Sequence, residues 1–158
     1  MICPVCGKQF CTRHFNEWWD PDKFNWKDYS CSLTLHCGTL FDLWWNPNKF
    51  NWKSASWALA KSCSKHFHKW WNPNKFNWQD LWALAKYCSR YFYEWWDPDR
   101  IDWEQQSWVL ARWCSEHFRI WWDPFKFDLQ AVECLELYCP QYRHIWERDI
   151  KLRKLLRR

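Results

Sequence analysis

Four side chains of metal-ligand type fall within twelve residues near the start of the chain. They are Cys3 and Cys6, with two residues between them, then Cys11 and His14, again with two between. Thiolates and imidazole are the ligands of tetrahedral zinc, and three thiolates with one imidazole leave no open coordination position. The spacing points to a closed, structural zinc site at Cys3, Cys6, Cys11 and His14. A second reading stands beside it: Cys11 and His14 are also the first copy of a Cys-x-x-His/Tyr-Phe pattern that recurs down the chain.

The stretch CPVCGKQF, residues 3–10, resembles the first knuckle of a zinc finger, in which the loop turns its amides toward the sulfurs. The resemblance covers those eight residues and implies metal binding there. The distal histidine pair of that family is absent, so its DNA-reading role is not implied. Cys63/His66 and Cys114/His117 repeat the two-residue spacing, but Leu40, Tyr91 or Tyr142 takes the histidine place in other copies. Tyrosine is a poor zinc ligand, so an aromatic body with a polar tip is the expected role of those positions.

Other chemistry is sparse. The chain has only two glycines, Gly7 and Gly38, which argues against phosphate-cradling loops. There is no nucleophile elbow, no paired-carboxylate arrangement outside turns and caps, and no cofactor loop, so the expectation is a protein that is not an enzyme. The opening MICPVCGKQF does not read as a signal peptide, and no apolar run approaches the ~20 residues of a membrane span.

Cations recur in register. Lys23, Lys49, Lys75, Arg100 and Lys126 occupy one position, and Lys61, Lys86 and Arg112 another. Stacked repeats would turn these into stripes. Interleaved with tryptophan edges, such stripes could follow a single strand of RNA or DNA, phosphates on the cations and bases on the rings. Acids at Asp20, Asp22, Asp97, Asp99 and Asp123 lie close by, and a solvated face with local ion pairs is the competing expectation. Residues 148–158 hold six Lys/Arg and one Asp, a net of +5 that equals the charge of the whole chain, so the remainder is neutral. Any attraction to an anionic surface is expected in the tail, at Lys151, Arg153, Lys154, Arg157 and Arg158. That tail is amphipathic if helical, and capping of the last repeat is its default role.

These groups must be positioned by a repeat. Tryptophan pairs stand at 18–19, 44–45, 70–71, 95–96 and 121–122, with cysteines in step at 11, 37, 63, 88, 114 and 139. The period is 25 or 26 residues, the mark of a helical or other stacked array. Each unit reads as two short helices. Asn25, Asn51, Asn77, Asp102 and Asp128 are candidate N-caps, because their side chains can accept a free N–H of the first turn. A second helix begins near Ser64, Ser89, Ser115 or Pro140 and ends at an Asn/Asp-Pro step, since the residue before proline is pushed out of the helical region. The 25-residue units lose their residue at the entry of the first helix, where NWKSASWALA becomes NWQDLWALA.

Helices this short are marginal alone. Burying one Trp removes ~150–250 Å² from water, at most ~4–6 kcal/mol. Most of the 19 tryptophans are therefore expected to be packing residues. The Trp at 57, 82 and 108 becomes Cys31 in the first unit and Cys134 in the last, as expected where a terminal repeat lacks a neighbour. Adjacent residues on a helix point ~100° apart, so one member of each pair is expected at the surface. Trp45, Trp71, Trp96 and Trp122, with the first cation row, form the candidate partner-binding surface. Equivalent cysteines on stacked helices ~8–10 Å apart should not bridge, and reduced thiols in a cytoplasmic protein are expected.

The expected architecture is an all-α short-repeat solenoid of about five two-helix units. Residues 1–14 form a Cys/His cap, 15–146 the repeat array and 147–158 a basic tail or capping helix. The expected role is a non-catalytic interaction module for a protein partner, with single-stranded nucleic-acid binding as the alternative.

Overall fold

The computed structural model describes residues 1–156; Arg157 and Arg158, two of the tail cations, lie outside the described residues. The fold is all-α and repetitive. Among the described residues the only β pairing is one antiparallel bridge, Ile2 with Gln9. The chain forms two compact units, Met1–Cys88 and Ser89–Arg158, a division that falls inside the single array expected at 15–146.

In the first unit, α1 (Phe15–Trp18) precedes a long helix α2 (Trp26–Cys37) and a short α3 (Phe41–Trp44). The pattern repeats with α4 (Trp52–Ser62) and α5 (Phe67–Trp70), then α6 (Leu81–Tyr87). The second unit holds α7 (Phe92–Trp95), α8 (Trp103–Trp113), α9 (Phe118–Trp121), α10 (Val132–Tyr138) and α11 (Arg143–Leu156). Long helices pack on their successors, α2 on α4 and α4 on α6 in one unit, α8 on α10 in the other.

Every expected cap is in place. Asn25, Asn51 and Asp102 accept the amides of Asp28, Ser54 and Gln105, three residues on. Asn77 and Asp128 instead accept from Gln79 and Gln130, two residues on. Those are the two units one residue short. Their first turns, Trp78–Asp80 and Leu129–Ala131, are 3-10 helices. The tighter winding absorbs the deletion before the α-helical part begins. Buried serines tie three of the five caps to the preceding repeat: Asn51 N–H donates to Ser30 Oγ at 3.1 Å, Asn77 to Ser56 at 3.3 Å and Asp128 to Ser107 at 3.2 Å.

The short helix ends one residue earlier than the proline step alone requires. Trp45 and Trp71 already have extended backbones, ψ 123° in each. That turn lays the second tryptophan of each pair back over the phenylalanine four residues before it. Trp45 stacks on Phe41 at 5.0 Å, Trp71 on Phe67 at 5.3 Å and Trp122 on Phe118 at 5.2 Å. The other face of the phenylalanine meets a ring of the next repeat: His66 on Phe41 at 4.7 Å, His117 on Phe92 at 4.2 Å, Tyr142 on Phe118 at 4.5 Å. Histidine and tyrosine interchange because this position supplies a flat ring.

The first tryptophan of each pair is buried, and its indole N–H reaches the carbonyl of the repeat cysteine seven residues earlier. The distances are 2.8 Å for Trp18 to Cys11, 2.7 Å for Trp44 to Cys37, 2.9 Å for Trp70 to Cys63 and 2.7 Å for Trp121 to Cys114. At Cys37, Cys63 and Cys114 that carbonyl stands where the long helix stops.

Each end borrows a contact the interior uses. Inside the units, Cys88 Sγ donates to Ala60 O and Cys139 Sγ to Ala111 O, in the preceding repeat. Cys37 has no such helix before it and donates to Phe10 O at 3.6 Å. At the other end, Arg153 donates to Pro124 O at 2.6 Å, as Lys49 does to Pro21 O and Lys75 to Pro47 O, both at 3.1 Å. α11 (Arg143–Leu156) runs unbroken across residue 147, since no Asn/Asp-Pro step follows Trp146.

Candidate metal centre and surface rows

The first ten residues build a knuckle. Cys3 N–H donates to Lys8 O and Gly7 N–H to Cys3 O, both at 2.9 Å. Gly7 has φ +69°, and a Cβ there would meet nothing within 4 Å, so its requirement is the left-handed backbone rather than space. Phe10 also has a positive φ, 46°, unusual for a bulky residue. The turn plugs its buried ring among Trp18, Tyr29 and His36 and brings Cys11 back beside the knuckle.

The ligand atoms of Cys3, Cys6, Cys11 and His14 all lie within 4.8 Å of one another. Cys6 Sγ to Cys11 Sγ is 3.5 Å, and His14 Nδ1 is 3.7 Å from the sulfurs of both Cys3 and Cys11. A tetrahedron with metal–sulfur bonds of about 2.3 Å and metal–nitrogen bonds of about 2.0–2.1 Å has edges of about 3.5–3.8 Å. The four groups could therefore hold a metal ion with little movement. The His14 amide lowers the Cys11 thiol pKa against opposing desolvation, helped by the neighbouring thiols and the Arg13 amide. The Lys8 amide pulls Cys6 the same way but is outweighed by desolvation and the adjacent thiols, which leave it raised.

No other such cluster occurs among the described residues. The repeat cysteines are chemically quiet. Desolvation pushes Cys37 to about 11 and Cys63, Cys114 and Cys139 to about 12. No disulfide joins any of the ten cysteines.

Trp45, Trp71, Trp96 and Trp122 are half-buried, each stacked on its phenylalanine, while their pair partners Trp44, Trp70, Trp95 and Trp121 are in the core. The first cation row is committed within the fold. Lys23 pairs with Asp20, Arg100 with Asp97 and Lys49 with Asp22, at 3.0, 3.1 and 2.7 Å. Lys75 reaches Asn48 as well as Pro47, and Lys126 lies 3.9 Å from Asp99 and 5.7 Å over the Trp103 ring. In the second unit Lys126 lines a cleft of about 300 Å³ with Trp96, Trp103 and Trp122.

In the tail, Lys151 and Lys154 are exposed, but Arg153 is buried under its contacts to Pro124 O and Phe127 O and does not belong to the basic surface. Composition hid this; the interval could have revealed it, since Arg153 stands 29 residues after Pro124 and Lys49 stands 28 after Pro21. Trp122 donates to Asp149 Oδ2 at 3.0 Å on the same helix.

No protein-family model matches the chain, and no curated protein or solved structure is detectably similar to it. Among the described residues no helix is long and apolar enough to cross a membrane.

Proposed function

We propose that this chain is a non-catalytic helical-repeat interaction module, closed at its first end by a structural zinc ion, which presents aromatic and basic surface to a protein partner. The observation that carries the reading is the division within the tryptophan pairs. The first ring is locked into the core, whereas the indole N–H groups of Trp45 and Trp71 have no acceptor among the described residues. The capping and turn-forming polar residues at repeat positions hold the fold: cap asparagines, bridging serines and the lysines on proline carbonyls. What faces outward is ring edge and ammonium, the material of recognition surfaces.

Zinc fits the donor set, and four protein ligands would leave no place for substrate. The ion would supply a cross-link between the knuckle and the turn into α1. The free thiols suit a reducing compartment.

Affinity capture with the intact chain, with and without nuclease, tests the interaction reading. The expected result is one protein retained after nuclease and at raised salt, and lost with Trp45→Ala/Trp71→Ala. Recovery of nucleic acid whose retention falls steeply with salt would favour strand binding instead.

A further inference from the structure

The long helices of the first unit carry a second row, distinct from the tryptophan pairs. On α4, Lys53, Trp57 and Lys61 are spaced by four residues and share one stripe. On α6, Trp82 and Lys86 continue it. Trp57 and Trp82 stack at 6.2 Å with 29° between ring planes, and Tyr87 meets Trp82 edge-on at 6.4 Å. Lys61 Nζ sits 5.9 Å over Trp57 and Lys86 Nζ 5.2 Å over Tyr87.

Three features mark this platform as unfinished. Trp57 and Trp82 are only half-buried. Neither indole N–H has an acceptor among the described residues, while Trp108, at the same repeat position in the second unit, donates to Gln105 O at 2.9 Å. Lys53 and Lys61 have no carboxylate within ion-pair distance among the described residues, in contrast to Lys49, which holds Asp22.

We propose that this platform docks an acidic, extended segment of a partner protein. Its carboxylates go to Lys53, Lys61 and the two indole N–H groups, and its apolar side chains lie along the ring edges. The proposal rests on the interaction-module reading. A carboxylate on an indole N–H is already built once in this chain, Asp149 on Trp122. Nucleic-acid bases need open ring faces. Here the indoles cover one another, and Lys61 lies over Trp57.

The test is fluorescence anisotropy with the full chain and a fluorescein-labelled peptide of glutamates interspersed with leucines, with oligo(dT) as the second probe. The peptide should bind more tightly than oligo(dT). Lys53→Glu/Lys61→Glu should weaken it at least ~tenfold, and Lys69→Glu, exposed on α5 outside both cation rows, should change it less than ~twofold. Trp57→Ser should also weaken it; truncation there is tolerable, since Cys31 and Cys134 occupy the equivalent places. Circular dichroism of each variant should match the parent. Absence of peptide binding, tighter binding of oligo(dT), or equal loss with Lys69→Glu would overturn the platform. None of these bears on the capture result with Trp45 and Trp71, which judges the module reading separately.

Discussion

Trp70 donates its indole N–H to the carbonyl oxygen of Cys63 across 2.9 Å, and the same oxygen accepts the amide of His66 at the same distance. One helix-end carbonyl thus has both lone pairs used, one by the backbone turn and one by a ring from the following short helix. The short helix is thereby clamped to the long one.

Trp70→Phe keeps an aromatic ring and removes the donor. It should lower stability in urea by about 1–3 kcal/mol, from the lost bond and the reduced volume. Trp71→Phe removes an N–H that has no acceptor among the described residues and should cost less than about 1 kcal/mol. Equal losses for the two would contradict the division of labour.

The metal reading predicts one zinc per chain in protein purified without chelator. Cys11→Ser should lose it, and Cys37→Ser, whose thiol donates to Phe10 O, should keep it. Stripping the metal should lower the thermal midpoint, and binding should weaken on acidification as ligands protonate. Metal analysis and thermal unfolding in parallel check both.

Arg153→Met removes the donor from Pro124 O and Phe127 O and should destabilise by about 3 kcal/mol. Lys151→Ala, exposed on the same helix, should stay within about 0.5 kcal/mol. Urea unfolding distinguishes a capping helix from a loose basic tail.

Asp80 sets a pH dependence. Desolvation raises its carboxyl pKa, opposed by the Ser56 hydroxyl at 2.9 Å. A raised acid binds its proton more tightly when folded, so its contribution is present at low pH and lost as pH rises through the folded value. Asp80→Asn should therefore raise the thermal midpoint at neutral pH. The gain should vanish below the ordinary carboxylate range, about pH 4.

What was legible in the sequence was local or periodic. Asn51 caps the helix that begins one residue later, and such short-range geometry is written in residue type and interval. The deletion between repeats was visible at Gln79–Asp80, though not its remedy as a 3-10 turn. Phe10 and Arg153 were missed for different reasons. Phe10 adopts a backbone that glycine would advertise and phenylalanine conceals. Arg153 replaces a lysine of the repeat at an interval one residue longer, inside a segment whose composition reads as a solvated tail. The second tryptophan was expected to leave the core by helical geometry, and it does so because the helix has already ended.

Hydrogen exchange of the indole N–H protons, resolved by NMR, tests the central claim most directly. Protection should be strong for Trp44, Trp70 and Trp121, bonded in the core to repeat carbonyls, and weak for Trp45, Trp57, Trp71 and Trp82. Uniformly fast exchange, or protection of Trp45 and Trp71 equal to that of their neighbours, would contradict it.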